Sequence, residues 1–202
     1  MIATPTKLIG MRIIGAITPD KPLLVMAVAL EAEALGSELP VLLTGMGKVN
    51  AALSVAAALA GGSRPREIIN LGTAGALRPG MSGTHTIGTV LQHDLDSETL
   101  LKLTGEVTGP PLPLGDPGGV VLATGDAFVA DPATRDRLAQ HAHLVDMEGY
   151  AVAAAAHAAR VPVRLVKHVS DDAGQHAAAT WRESVAECSR HLAGWLAVHA
   201  AG

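Results

Sequence analysis

Leu23-Leu24-Val25-Met26-Ala27-Val28-Ala29-Leu30 is an unbroken apolar run that ends on Glu31-Ala32-Glu33. A strand with one wet face alternates polar and apolar residues, whereas a strand covered on both faces need not. The run therefore predicts a buried strand over Leu23–Leu30. Pro40–Thr44 and Glu67–Leu71 read as shorter strands of the same kind, with further strands at Thr86–Leu91, Val120–Thr124 and Pro162–Val169. Helical stretches lie between them: alanine-rich Val49–Ala60 closed by Gly61-Gly62, polar Pro132–His141, and alanine-rich Gly149–Ala159. The last segment carries Trp181, Val185, Cys188, Leu192, Trp195 and Val198 as an apolar stripe at helical spacing, which should pack on the sheet. Strands alternating with helices define an α/β layered domain.

At 202 residues the chain is read as one domain over 23–202, preceded by a peripheral segment, 1–22, with a single strand near Met11–Ile17. Residues 97–119 hold four Pro and five Gly without helical or strand period, so an irregular insertion is expected there. Aromatic residues are only 2% of the chain against 49% apolar, so the core must be built from Ala, Val and Leu. A net charge of −4 without any Lys/Arg block argues against nucleic acid as a partner. The lone Cys188 calls for no oxidising compartment. No leader pattern precedes Leu23, and no stretch approaches the roughly 18 apolar residues of a membrane helix. A cytoplasmic protein with no membrane partner is expected.

Three acidic patches follow apolar runs: Leu30-Glu31-Ala32-Glu33, Asp146-Met147-Glu148-Gly149 and Val169-Ser170-Asp171-Asp172. Carboxylates at strand ends, scattered in sequence and convergent in space, are a means of assembling acid/base chemistry. Each alone reads as a solvated strand-end residue, a description kept here for Glu31, Asp146 and Asp172. Two glycine turns, Gly45-Met46-Gly47-Lys48 and Gly72-Thr73-Ala74-Gly75, match neither the dinucleotide fingerprint nor a Walker loop. Thr124-Gly125-Asp126-Ala127-Phe128-Val129 places the only Phe just past a strand end, where open α/β sheets bind ligands. Among nine histidines His141 and His143 are the nearest pair, with no third ligand beside them, and no metal is expected. His85, His93, His176 and His191 read as solvent-facing.

Taken in order, Ala29-Leu30-Glu31-Ala32-Glu33, Gly45-Met46-Gly47-Lys48-Val49-Asn50, Asn70-Leu71-Gly72-Thr73-Ala74-Gly75, Thr124–Phe128, Val145-Asp146-Met147-Glu148 and Ser170-Asp171 resemble the nucleoside phosphorylase/nucleosidase superfamily. Within it the chain looks most like the methylthioadenosine/S-adenosylhomocysteine nucleosidases, from about Leu23 to Trp195. The resemblance implies a three-layer fold, a central mixed sheet flanked by helices, and hydrolysis of a purine nucleoside without cofactor. It implies Asp171 as the acid at purine N7, oriented by Ser170, and Glu33 as the base that activates water. It places Glu148 on the ribose hydroxyls above Met147, Phe128 against the purine with the Val129 backbone at its edge, and the Thr73-Ala74-Gly75 turn on the water or sugar side of the site.

A phosphorylase must hold a phosphate dianion, usually with arginine, and Val28–Glu33 carries acids instead. That favours hydrolysis. Lys167 stands where relatives tend to have arginine and reads as a group that orients water or neutralises Glu33, or as a partly exposed lysine. The insertion lacks the aromatic residues that wall the 5′ pocket in relatives, which leaves room for a futalosine-type substrate. Tyr150 reads as a helix-packing residue. The other readings are a phosphate-dependent purine nucleoside phosphorylase and a non-catalytic nucleoside-binding protein. Family habit implies a homo-oligomer, a dimer first, with the Val49–Ala60 helix available between subunits.

Overall fold

The computed structural model describes residues 10–36 and 38–199. Residues 1–9 of the N-terminal segment lie outside the described residues, and the rest of it contributes β1 (Arg12–Ile14), an exposed edge strand antiparallel to β3 (Val41–Leu43). β2 (Leu23–Met26) runs parallel to β3 on one side and to β4 (Ile68–Ala76) on the other. Its unbroken apolar sequence has a simple cause. Leu23 and Val25 face one hydrophobic layer, Leu24 and Met26 the other, so neither face is wet. Each such fully buried side chain contributes about 1.5–3 kcal/mol.

Beyond β4 the sheet curls and closes. β4 pairs with β9 (Val163–Asp171), β9 with β5 (Thr84–Gln92), β5 with β7 (Val120–Thr124), β7 with β8 (Leu144–Asp146), and β8 returns to β4. Parallel and antiparallel pairs are mixed, as expected. A two-residue strand, β6 (Leu112–Pro113), hangs on the outer edge of β5.

Helices cover both sides. α1 (Lys48–Ala60) buries Ala51, Ser54, Val55, Ala58 and Leu59, a 3–4 period whose small side chains let it lie close to α4 (Gly149–Ala158). α3 (Pro132–Leu138) begins with Pro132 in its first turn and is capped by Asp131, whose carboxylate accepts from Thr134 N–H. α5 (Ala177–His199) buries Val185, Cys188 and Leu192, and its Leu192, Trp195 and Leu196 pack on the opposite face of the sheet from α1. Among the described residues no helix is long and apolar enough to cross a membrane.

Four elements differ from the sequence reading. Residues 72–75, read as a turn, are extended chain inside β4, paired with β9. The first strand stops at Met26, because Ala29–Ala32 form a single 3-10 turn instead of continuing it. The insertion is not wholly irregular: Ser97–Thr104 is a helix, α2, with no buried residue. It is held by its ends, Asp96 accepting from Thr99 N–H and Gly105 in the left-handed region at φ 76°, with a Lys102–Glu98 pair one turn apart. β8, marked in the sequence only as the short apolar run before Asp146, has three residues, too few to show a period or give its bounds.

Candidate active site

Three strand ends meet at one place. In register, Gly75 of β4 stands opposite Val145 of β8 and Asp171 of β9, and a bulge between Ala74 and Gly75 re-aims both strands. A Cβ on Gly75 would lie 3.0 Å from Asp171 Oδ1 and 3.2 Å from Val145 Cγ1. Glycine is what lets the Asp171 carboxyl lie across the strand. A cleft of about 220 Å³ opens over this junction. Thr73, Ala74, Gly75, Phe128, Val129, Met147, Glu148, Ser170 and Asp171, assigned from sequence to the site, all line it.

Asp171 is buried beside Ser170. Its Oδ2 accepts from the Ser170 hydroxyl (2.8 Å) and its Oδ1 from Ala173 N–H (2.9 Å). Burial raises its pKa above the ordinary aspartate value despite those two bonds, which favours the protonated acid. Glu148 ends the wall on the other side. The residue is half-buried with its carboxyl turned inward, accepting from Gly47 N–H at 2.8 Å. Burial, then the Asp146 charge, pushes its pKa up to about 8 against the pull of Lys167 and that N–H. The glycine turn at 45–47 therefore serves the site by aiming a backbone donor at Glu148.

Glu33 is not in the cleft. Its side chain is exposed, and Glu31 takes the place expected for it. The physical reason is the 3-10 turn: ending the strand at Met26 rotates Glu31 inward and leaves Glu33 at the outer end of the turn. Glu31 is 4% exposed. Its Oε1 accepts from Thr73 N–H and from the Thr73 hydroxyl, both at 3.0 Å, and its Oε2 from Ala27 N–H (3.2 Å) and Val28 N–H (3.3 Å).

Asp146 was likewise read as solvated and is buried. Its carboxylate accepts from the Thr124 hydroxyl (2.6 Å) and Gly149 N–H (2.8 Å), and pairs with Lys167 at 2.9 Å. Lys167 lies under the cleft, not in its lining, and is the largest fully buried side chain of the described residues. Burial alone would discharge it, yet Asp146 and then Glu148 hold its amine above the ordinary lysine value. It does not neutralise Glu33. It sits instead among Asp146, Glu148 and Glu31, and a Cβ on Gly72 would be 3.2 Å from its Nζ and 3.4 Å from Glu31 Oε1. Lys167→Met is expected to cost about 3–5 kcal/mol, because Asp146 would be left buried and unpaired. Thermal unfolding of the variant checks this.

Other readings fare differently. Asp172 is exposed and turns back to accept from Gly174 N–H. Tyr150 is buried in the core and its hydroxyl donates to Pro110 O, tying the insertion to α4. His176 and His191 are exposed, while His93 has a buried Nε2 and is not solvent-facing. His168 bonds Thr84 and stacks on His191, away from the cleft lining. Phe128, 46% exposed, stands at the rim on a loop fixed by Asp126, whose carboxylate accepts from Lys48 N–H and whose own N–H donates to Asp94. Sequence reasoning missed Trp181 and Met46, both in the lining. Trp181 carried a signal, since it opens the apolar stripe at a point where the helix overhangs the strand ends.

The phosphorylase superfamily model matches residues 33–117 and 118–197. A 5′-methylthioadenosine/S-adenosylhomocysteine nucleosidase of Bacillus thuringiensis is 31% identical over 186 residues, 80% of each chain. The structure of the Streptococcus pneumoniae nucleosidase of that name with a transition-state inhibitor superposes with a TM-score of 0.74 at 26% identity, covering 87% of this chain and 96% of that one. Futalosine hydrolase of Helicobacter pylori superposes with a TM-score of 0.76 at 19% identity over 88% and 97%, a likeness of fold. The chain belongs to the phosphorylase superfamily, on its nucleosidase branch.

Proposed function

We propose that the protein hydrolyses the N-glycosidic bond of a purine nucleoside with a modified 5′ group, of the methylthioadenosine/S-adenosylhomocysteine type. The observation that carries this reading is the pairing of Glu31 and Asp171 across a cleft in which, among the described residues, no arginine or lysine appears in the lining. A phosphate dianion would meet carboxylates and no cation, whereas water would meet a base. The relatives' names supply the 5′ group.

In this mechanism Asp171 gives its proton to purine N7 as the C1′–N9 bond breaks, so the base leaves neutral. The sugar passes through an oxocarbenium-like state. Glu148 accepts hydrogen bonds from the ribose hydroxyls, and Met147 lies against the sugar. Glu31 takes a proton from water as its oxygen adds to C1′, giving the free sugar. Phe128 covers the purine from the rim. The Lys167–Asp146 pair holds the charge of the carboxylate side in balance from below.

The direct test is release of free base from methylthioadenosine, S-adenosylhomocysteine, adenosine and inosine, with and without phosphate. Phosphate-independent release from the two thio-nucleosides is expected. Release that requires phosphate would establish the phosphorylase instead, and no release from any of the four would point to an unusual 5′ group, such as that of a futalosine-type substrate, or to a binding protein.

A homodimer is also proposed, formed over the outer face of α1. Val49 and Leu53 are 68% and 48% exposed there and continue into Met46 at the cleft rim. Val49→Glu with Leu53→Glu is expected to convert a sedimenting dimer to monomer. A wild-type monomer at micromolar concentration would contradict it. Cytoplasmic nucleoside metabolism is the proposed setting.

A further inference from the structure

We propose that Trp181 is a positioning residue for the Glu31 carboxylate and acts through the Thr73 hydroxyl. This rests on the reading of Glu31 as the group that activates water. Trp181 Nε1–H donates to Thr73 Oγ1 at 2.8 Å, and Thr73 Oγ1 lies 3.0 Å from Glu31 Oε1. An indole nitrogen is only a donor, so the Thr73 oxygen must be the acceptor. The hydroxyl has one proton, and with its lone pair turned to the indole that proton points to Glu31. The indole thus removes the rotational freedom of the hydroxyl and leaves it one orientation.

The consequence is a carboxylate fixed from three elements. The end of β2 supplies Ala27 and Val28 N–H to Oε2, and β4 supplies Thr73 N–H to Oε1. α5 supplies the indole that locks the remaining donor. Both bonds to Oε2 are long, at 3.2 and 3.3 Å, so this oxygen is the one with capacity left for water. The same helix reaches the acid side, where the Ser184 hydroxyl donates to Ser170 O at 3.2 Å. α5 therefore touches Thr73 beside the base and Ser170 beside the acid through separate contacts one turn apart.

Packing alone would make the same ring useful as a wall of the cleft, and phenylalanine would replace it. The hydrogen-bond relay makes a different demand. Trp181→Phe keeps the wall and removes the donor, and is expected to lower kcat for base release about tenfold with KM changed less than about twofold. Thr73→Val should lower kcat by at least as much, and the double variant should be no slower than Thr73→Val alone, since both remove one relay. Independent multiplication of the two losses, or Trp181→Phe at the wild-type kcat, would overturn the proposal.

A second readout does not depend on turnover. The chain has two tryptophans, so Trp195→Phe leaves Trp181 as the only indole N–H in a nitrogen-15 spectrum. Glu31→Gln and Thr73→Val are each expected to shift that resonance and speed its exchange with water. An indole signal unmoved by both would overturn the relay. A moved signal with no base release from the wild-type protein would keep the contact and overturn the nucleosidase reading, and the positioning role of Trp181 in turnover with it.

Discussion

Glu31→Gln is expected to slow base release about 10³-fold, and Glu33→Gln to change it by less than about twofold. The two acids are separated by one alanine, yet only Glu31 reaches the cleft. Glutamine keeps the shape of Glu31 and can still accept from Thr73 at its carbonyl oxygen, but it cannot take a proton from water. Loss of a general base of this kind typically removes 10²–10⁴-fold. Glu33 touches no group of the cleft, and a surface substitution there should fall within about 0.5 kcal/mol. Steady-state release of free base by both variants decides between the acids. An inactive Glu33→Gln beside a fully active Glu31→Gln would return the role to Glu33.

Glu148→Gln should produce opposite effects on activity and stability. For activity above about pH 8, where Glu148 is ionised, a carboxylate can accept from two ribose hydroxyls and an amide from fewer, so losing one or both bonds of about 1.5–3 kcal/mol each is expected to lower kcat/KM by about 10–10⁴-fold. For stability the sign is reversed. The folded-state pKa of Glu148 is raised from 4.5 to about 8, so between those values the folded protein holds a proton that the unfolded chain gives up. Stability must then fall as pH rises through that window and level off above about pH 8. Glutamine carries no charge to bury. The variant should therefore match the wild type in Tm near pH 4.5 and exceed it at pH 8 and above. A Tm difference that does not grow with pH would show that Glu148 is ionised at little cost.

How much of this was legible in the sequence depends on what each element uses to hold itself. β2 and β7 are fixed by burial on both faces, and burial on both faces writes an apolar run that can be read directly. α1 and α4 write a period in alanine. α2 writes neither, since it buries nothing and depends on Asp96 and Gly105 at its ends, where the signal is a pair of caps instead of a pattern. The site divides in the same way. Asp171 and Gly75 are adjacent in the register of β4 and β9, and the motif order carried both. Glu31 could not be told from Glu33 because the choice turns on where β2 stops, and element ends are the least certain part of any sequence reading. Trp181 was absorbed into the helix stripe because its indole nitrogen makes a contact 108 residues away, which no local pattern records.

In the proposed mechanism water, not phosphate, attacks the sugar of a purine nucleoside held between Glu31 and Asp171. Turnover of methylthioadenosine in the presence of excess phosphate, with the sugar product identified by phosphorus-31 resonance and mass, tests it most directly. Free methylthioribose, with all phosphate remaining inorganic, is the predicted result. Methylthioribose 1-phosphate would contradict it.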